Sequence, residues 1–253
     1  MRVACLYDIH GNLPALEAVL DEARREGVDA VLVGGDVFPG PMARECLALL
    51  RSVERPVHWV MGNGDREVVA AWHGTPSPTL PARALEAITW CAGTIAEAEA
   101  AFIASWPVTT RLDVPGVGTV LACHATPEND VDIVLDDTPD AVMRSRFDGR
   151  ADLVTCGHTH MPFDRVVGRT RVVNAGSVGM PFGEPGADWL LLGPTVQQRH
   201  TAYDLQAAAA RIRATAYPQA AAFAEGNVLA PPSRPAMHAA LSRSALGGER
   251  SPG

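Results

Sequence analysis

The chain has 253 residues, of which 47% are hydrophobic and 20% are charged. This balance is typical of a globular protein with enough apolar side chains for a full core, so it excludes disorder of the whole chain. The formal net charge of −8 argues against strong nonspecific binding to nucleic acid, which depends on positive charge. The five cysteines are odd in number and lack a CxxC pair, which argues against a disulfide framework or a zinc–thiolate site.

No apolar run reaches the roughly 18 residues that a membrane-spanning helix needs. Residues Met1–Tyr7 hold one basic side chain and then meet Asp8, so no signal-peptide pattern comes first. We therefore expect a cytoplasmic protein without membrane contact. The length suits one α/β domain, because such folds reach roughly 200–250 residues, and a homo-oligomer is possible.

Strand and helix patterns alternate at the start of the chain. Short apolar runs predict buried strands, and the runs between them have apolar residues at helical spacing. The predicted strands are Val3–Tyr7, Ala30–Val33 and Pro56–Met61, and the predicted helices are Asn12–Glu26 and Ala43–Val53. This alternation predicts parallel strands joined by crossover helices.

Residues 66–105 are rich in Ala and Glu and predict two or three helices with a break at Thr75–Pro81, which we interpret as a helical insertion. Strand patterns then return at Thr109–Val114, Gly118–Cys123, Leu153–Cys156, Arg165–Val167 and Arg171–Val173, and they indicate a second sheet. Trp189–Leu192 and Val196–Tyr203 are expected to extend this second sheet, and a helix is expected at Leu205–Thr215. Residues 1–225 are the predicted domain, and 226–253 a C-terminal extension with a flexible tail.

Seven side chains of metal-ligand type stand in five short clusters, and each cluster follows a predicted strand. They are Asp8 with His10, Asp36, Asn63, His124, and His158 with His160. Taken singly each is weak evidence, because most histidines are surface or core residues. Together they are expected to gather at the strand ends, where positions i and i+2 project to the same side. Carboxylate, amide and imidazole ligands suit Mn, Fe, Co, Ni or Zn.

In chain order the clusters give the blocks Asp8-Ile9-His10, Gly35-Asp36, Gly62-Asn63, His124 and Gly157-His158-Thr159-His160, followed by Asn174–Gly179. This series resembles the calcineurin-like metallophosphoesterase superfamily, and in particular its small bacterial and archaeal phosphodiesterase branch. The resemblance implies a four-layer α/β/β/α sandwich of two mixed sheets flanked by helices. It also implies two divalent metal ions, Mn by preference. Asp8, His10 and His160 would hold the first ion, Asn63, His124 and His158 the second, and Asp36 would bridge them.

The activity that the resemblance implies is hydrolysis of a small-molecule phosphoester by a hydroxide that bridges the two ions. Asp36, Asn63 and His124 would serve catalysis by positioning the metals. Many members of the superfamily carry a histidine after the Gly-Asn pair, where this chain has Gly64. A general acid contributes about 10²–10⁴-fold, so its absence favours phosphodiesters. The alternatives are a phosphomonoesterase or nucleotide phosphatase of the same fold, and a non-catalytic scaffold that resembles the retromer subunit.

Two further residues are candidates for contacting the substrate phosphate. Asn12 could donate to phosphate, with a helix cap as the alternative, and Arg66 could bind it bidentately, with a surface salt bridge as the alternative. Asp65 would orient the missing histidine, so here we expect it to cap the next helix. The histidines outside the five clusters are not expected to be ligands; they are His58, His73, His200 and His238.

Overall fold

Two five-stranded sheets pack face to face in a computed structural model, which describes residues 1–247. Within these residues the strands are β1 (Val3–Leu6), β2 (Ala30–Val33), β3 (Val57–Trp59), β4 (Thr109–Val114), β5 (Gly118–Cys123), β6 (Leu153–Cys156), β7 (Phe163–Val167), β8 (Thr170–Asn174), β9 (Ala187–Leu192) and β10 (Val196–Thr201). The helices are α1 (Leu13–Arg25), α2 (Ala43–Arg51), α3 (Asn63–Trp72), α4 (Ala82–Ala92), α5 (Glu97–Ala104), α6 (Asp140–Phe147), α7 (Leu205–Arg213), α8 (Ala220–Phe223), which continues as a π-helix (Ala224–Leu229), and α9 (Arg234–Ser242). The predicted α/β/β/α sandwich is confirmed.

The first sheet has the strand order β10-β9-β1-β2-β3. β1, β2 and β3 are parallel, as the alternating pattern predicted, and β9 pairs antiparallel with β1 from Val3 opposite Leu192. The assignment of β9 and β10 to the second sheet was therefore wrong. All six residues of β9 are buried, and a strand covered on both faces has no polar alternation that would indicate its neighbours.

The second sheet has the order β4-β5-β6-β8-β7. β4 and β5 form the predicted antiparallel hairpin, and β7 and β8 form another. β5, β6 and β8 are parallel. Both sheets are therefore mixed. Each sheet has parallel strands at its centre, and predicted ligand clusters follow these strands along the chain.

Alternate residues of β1 face opposite layers of the sandwich. Val3 and Cys5 lie between the two sheets, with side chains of the second sheet such as Val120. Ala4 and Leu6 belong to the cluster under the outer helices. All four residues of β1 are fully buried, so the strand end that precedes Asp8 is held on both faces.

The helical insertion and the C-terminal extension each contain regular structure. The insertion has three helices, and the first of them begins at Asn63. The extension contains α9, a helix that the composition of the segment did not predict. Beyond α9, Leu246 donates its N–H to the carbonyl of Ile133 at 2.9 Å. Residues 248–253 of the predicted flexible tail lie outside the described residues.

The longest helix within residues 1–247 is α1, which has 13 residues. No single helix there is both long enough and apolar enough to cross a bilayer. α4 and α5 satisfy the length and composition requirement only when they are taken together, and they are bent by 120°.

Candidate metal centre

Five chain segments bring the seven candidate ligands together at one edge of the sandwich. The ligands follow β1, β2, β5 and β6 directly, and Asn63 opens α3 after β3. The ligand atoms of Asp8, His10 and His160 all lie within 4.8 Å of one another, and so do those of Asp36, His124 and His158. The two groups are those that the resemblance implied for the two metal positions, with the bridging residue in the second.

Asp36 lies between the two groups. Its Oδ2 atom is 3.7 Å from Nε2 of His10 in the first group and 3.6 Å from Nε2 of His124 in the second. Asp8 also approaches both groups, because its Oδ1 atom is 3.3 Å from Nε2 of His160 and 3.9 Å from Nε2 of His124. The buried carboxylates of Asp8 and Asp36 therefore lie between the two sets of imidazoles.

Three of the histidines are oriented by backbone carbonyls. Because a carbonyl only accepts, Nδ1 carries the hydrogen in His10, His124 and His160, and Nε2 keeps its lone pair for the interior of the site. The acceptors are Pro39 (3.2 Å), Gly34 (2.9 Å) and Met180 (2.9 Å), respectively. Nε2 of His10 then faces Nε2 of His160 at 3.2 Å, an arrangement of two lone pairs that a cation would stabilise.

Asp8 supplies a second sign that the site fits a cation. Its side chain is fully buried, and its Oδ2 atom accepts the backbone N–H of His158 at 2.8 Å. No donor within residues 1–247 reaches its Oδ1 atom. A buried carboxylate oxygen without a partner is costly, and it points to a bound positive charge. The oxygen and nitrogen donors suit the divalent ions named above.

The side-chain amide of Asn63 can serve the site in either of two orientations. Its oxygen lies 3.1 Å from Nε2 of His124, which suits ligation of a shared cation. After a half-turn the NH₂ group would instead donate to Nε2 of His124 at 3.1 Å and to Nδ1 of His158 at 2.9 Å. A bound cation favours the first orientation, because oxygen is the ligating atom of an amide.

The cluster concentrates negative charge. Burial alone would raise the pKa of Asp36, but the neighbouring charge of His124 outweighs burial and holds that pKa below its usual value. Burial likewise lowers the pKa of His124, and the charges of Asp36 and Asp8 outweigh it and raise the pKa to about 10. Burial, helped by the charge of His124, lowers the pKa of His158 to about 4. Without cations the group therefore favours a second proton, on Nε2 of His124, and a bound cation would take the place of that proton.

Five of the seven candidate ligands have a left-handed backbone conformation. The φ angles are 54° for Asp8, 45° for His10, 56° for Asp36, 66° for His158 and 55° for His160. Asp and His enter this region several times more often than most residues, although it remains uncommon for any side chain other than Gly. Such strain gathers at functional sites, where the surrounding structure enforces it.

Asp65 fixes the loop that carries Asp36. Its carboxylate accepts the backbone N–H groups of Asp36 (2.7 Å), Phe38 (2.9 Å) and Gly62 (3.2 Å). The bond to Gly62 is a cap at the start of α3, so the predicted capping role is confirmed. The two bonds to the Asp36 loop were not predicted, because local spacing shows the cap and not the neighbour across the sheet.

The space beside Gly64 is filled by the same loop. A Cβ atom on Gly64 would lie 2.4 Å from the carbonyl oxygen of Phe38 and 2.8 Å from Cδ of Pro39. The backbone N–H of Gly64 donates to Oδ1 of Asp36 at 2.7 Å. Backbone therefore occupies the room that a side chain at this position would need.

Asn12 is fully buried and its amide is used within the fold. Its oxygen caps α1 by accepting the N–H of Ala15 at 3.2 Å. Its NH₂ group donates to the carbonyl of Gly179 at 3.0 Å and to the hydroxyl of Tyr203 at 3.1 Å. The helix cap is therefore present, and the contact with phosphate stays a prediction.

Arg66 lies one helical turn after Asn63 and is engaged by two carboxylates. It binds Asp130 through Nε at 2.7 Å and NH2 at 3.2 Å, and Glu67 through NH1 at 2.7 Å. The side chain is 46% exposed. The salt-bridge alternative is therefore observed, while the phosphate contact stays a prediction.

Two of the histidines outside the five clusters have carboxylate partners of their own. His200 pairs with Asp188, and His238 lies 3.2 Å from Asp136 and 3.3 Å from Asp137. Asp136, Asp137 and His238 bring three ligand-type atoms together. The two carboxylates are 63% and 64% exposed, which suits a surface ion pair.

The fold and the donor set are those of a metal-dependent phosphoesterase. A family model described as the calcineurin-like phosphoesterase superfamily domain matches residues 1–193. The chain therefore belongs to the calcineurin-like phosphoesterase superfamily, as its motifs indicated.

Similar proteins come from archaea and bacteria. A metallophosphoesterase from Sphaerobacter thermophilus is 25% identical, with a TM-score of 0.69 over 90% of this chain and 100% of that one. The hypothetical protein PH1004 from Pyrococcus horikoshii OT3 shares the fold, with 21% identity and a TM-score of 0.75 over 92% and 99% of the two chains. The uncharacterized protein MJ0912 of Methanocaldococcus jannaschii is 28% identical over 165 residues. That alignment covers 64% of this chain and 63% of the relative, less than two thirds of its length.

Proposed function

We propose that the protein is a two-metal phosphodiesterase that prefers Mn²⁺. The observation that carries the proposal is the position of Asp36, whose Oδ2 atom lies 3.7 Å from His10 Nε2 and 3.6 Å from His124 Nε2. A carboxylate between two sets of imidazoles is suited to bridging two ions. Asp8, His10 and His160 would hold one ion, and Asn63, His124 and His158 the other.

When bound, two divalent cations would activate a water molecule and neutralise charge on the phosphoryl oxygens. The residues of the chain supply the geometry. Carbonyl acceptors fix the three imidazoles, and Asp65 fixes the loop of Asp36. Two divalent ions carry four positive charges against the two carboxylates of Asp8 and Asp36. The loaded site therefore attracts phosphate although the net charge of the chain is −8.

The preference for diesters follows from the surroundings of Gly64. A side chain that could protonate the leaving group is absent there, and the carbonyl of Phe38 would lie 2.4 Å from any Cβ atom. Without a general acid, which contributes about 10²–10⁴-fold, the site favours esters whose leaving group departs without a proton. We propose that the substrate is a small-molecule phosphodiester with a good leaving group.

The test compares bis-p-nitrophenyl phosphate with p-nitrophenyl phosphate at saturating Mn²⁺. We expect kcat/KM to be higher for the diester, and because both substrates release p-nitrophenolate, the comparison reports the class of ester and not the leaving group. Asp36→Asn should lower kcat/KM for the diester by several orders of magnitude, while the exposed control Asp137→Asn leaves it unchanged. A higher value for the monoester would favour a phosphomonoesterase or nucleotide phosphatase.

Metal content distinguishes the proposal from a non-catalytic scaffold. A two-metal enzyme should bind two Mn²⁺ ions per chain, measured by elemental analysis after dialysis. A scaffold would bind far fewer and would be inactive on both esters. Inactivity of the metal-loaded protein on both substrates would refute the proposal. Cytoplasmic location, the lack of strong nonspecific nucleic-acid binding and a possible homo-oligomer stay predictions.

A further inference from the structure

The C-terminal helix α9 packs behind the first ligand group. Residues 1–193 match the superfamily model, and α9 lies outside these matched residues. Met237 and Leu241 of α9 are partly buried against a small apolar cluster that contains Phe182. The remaining buried members of that cluster are Leu135 and Met161, and Met161 directly follows the candidate ligand His160.

The segment from Met180 to Gly183 holds the ring of His160. The carbonyl of Met180 accepts Nδ1–H of His160 at 2.9 Å. The ring of Phe182 stacks on the imidazole, with 5.5 Å between centroids and 29° between planes. One contact fixes the proton on Nδ1 and the other fixes the plane of the ring, so the segment sets the direction of the Nε2 lone pair.

Arg234, the first residue of α9, ties this segment to the extension. Its Nε donates to the carbonyl of Phe182 at 3.1 Å, and the N–H of Gly183 donates to the carbonyl of Pro232 at 2.9 Å. Gly183 has a φ of +90°, and a Cβ atom there would lie 3.2 Å from Cγ of Arg234. The glycine thus lets the arginine stem pass close to the backbone.

A second chain of contacts leads from Arg234 to Asp8. NH2 of Arg234 is 3.9 Å from Oδ2 of Asp188. The N–H of Asp188 donates to the carbonyl of Ser177 at 2.9 Å, and the hydroxyl of Ser177 donates to the carbonyl of Asp8 at 2.7 Å. The arginine therefore contacts the segments that support two of the three ligands of the first position.

The residues that follow α9 support the same ligand group from another side. Leu246 donates its N–H to the carbonyl of Ile133 at 2.9 Å. The next carbonyl, that of Val134, accepts the hydroxyl of Thr159 at 3.3 Å. Thr159 stands between His158 and His160. The extension therefore contacts two segments that support this histidine pair, one with Ile133 and Val134 and the other from Met180 to Gly183.

We propose that Arg234 is a positioning residue for His160, and that α9 thereby sets the metal affinity of the first position. The proposal rests on the proposed function, because it presumes that His160 binds a metal ion. Removing groups that orient a ligating histidine weakens metal binding by about 10–100-fold. Arg234→Gln should therefore weaken the first site about tenfold and leave the second site unchanged.

The experiment measures Mn²⁺ binding to the full-length, metal-stripped protein by calorimetry and by electron paramagnetic resonance. Arg243→Gln is the matched control, because Arg243 directly follows α9 as its C-cap and its NH1 donates to the carbonyl of Ala239 at 3.3 Å. Arg234→Lys keeps a donor and should restore most of the affinity. Met237→Ala loosens the packing near Phe182 and should weaken the first site even if Arg234→Gln does not fold.

The spectra separate positioning from general stability. At two equivalents of Mn²⁺, the wild-type protein should give the signal of a coupled pair, and Arg234→Gln that of isolated ions. The positioning role would be overturned if Arg234→Gln and Arg243→Gln bound Mn²⁺ with equal affinity. It would also be overturned if Arg234→Gln weakened both metal sites equally. Neither result would contradict the proposed function. A wild-type protein that binds no Mn²⁺ would overturn the proposed function and the positioning role together.

Discussion

Gly64 stands where the backbone of a neighbouring loop has closed the available space. Its amide is bonded to Asp36, and the carbonyl of Phe38 lies where a Cβ atom would need room. The histidine that many members of the superfamily carry here is thus absent together with the space for it. The path of the loop that contains Phe38 therefore requires a glycine at position 64.

Substitutions of Gly64 should therefore damage the site without adding an acid. Gly64→Ala places a Cβ atom 2.4 Å from backbone, and overpacking of this kind costs about 1–3 kcal/mol. We expect a loss of this size in the free energy of unfolding, measured with urea, and lower diester turnover. Gly64→His should lose at least as much and gain no monoesterase activity.

Gly226→Ala is the control for Gly64→Ala, because a Cβ atom at Gly226 meets no atom within 4 Å. It should leave turnover at the wild-type value and should not lower stability. If Gly64→His instead hydrolysed p-nitrophenyl phosphate faster than wild type, the loop would be free to move and the steric explanation of the diester preference would fail.

The residue types of the candidate site were predictable, but their backbone conformation was not. The spacing of Asp8 and His10, or of His158 and His160, indicated side chains on one side of a strand end. The structure instead gives these four residues positive φ angles, so they leave the strand in tight turns. Asp65 shows the same limit, since its cap was visible in the sequence and its bonds across to the Asp36 loop were not.

Among the elements, the bounds of the strands were predicted better than the strands with which they pair. β2, β4, β5 and β6 have the predicted bounds. The apolar run of β9 predicted a strand, but it could not indicate that the strand would join β1. Whether β9 pairs with β1 or with a strand of the second sheet depends on long-range packing, which a local sequence pattern does not contain. α9 was missed because its segment is rich in Pro, Ser and Arg and has no buried residue.

The pairing of β9 with β10 includes a pH-dependent contact. His200 stands opposite Asp188 in the register, and its Nδ1 donates to Oδ1 of Asp188 at 2.7 Å. This hydrogen bond raises the pKa of His200 above its usual 6.5. Because the charged form gains the contact only in the folded state, the stabilisation is complete below about pH 6.5 and is lost as the pH rises through the raised pKa.

His200→Gln should therefore be less stable than wild type at pH 6 and nearly equal to it at high pH. The side chain is 31% exposed, so solvent screening limits the difference to about 1 kcal/mol or less. Urea unfolding at a series of pH values measures it, with the exposed His73→Gln as control. A difference between wild type and His200→Gln that stays constant with pH would contradict this account.

At the scale of the whole molecule, the candidate centre draws its ligands from both sheets. Asp8, His10 and Asp36 follow strands of the first sheet, and His124, His158 and His160 follow strands of the second. Ions bound there would connect the two sheets at one edge. Only the folded sandwich brings these ligands together, so binding should stabilise the fold.

Removal of metal should therefore lower the melting temperature. A ligand at 100 times its dissociation constant stabilises the folded state by about 2.7 kcal/mol, which corresponds to roughly 5–11 °C for a domain of this size. Differential scanning fluorimetry with Mn²⁺ and then with excess EDTA measures the shift. Asp36→Asn should reduce the shift, and Asp137→Asn should keep it. Equal melting temperatures with and without Mn²⁺ would argue against binding.

The place of β9 in the first sheet has a consequence for how the protein is made. All seven candidate ligands have been synthesised by residue 160, but β1 reaches its place inside the sheet only when β9 (Ala187–Leu192) pairs with it. At about 5–20 residues per second, translation needs a few seconds to cover that distance. A growing chain on the ribosome thus contains all seven candidate ligands a few seconds before the first sheet is complete, and the ligands come together only in the finished fold.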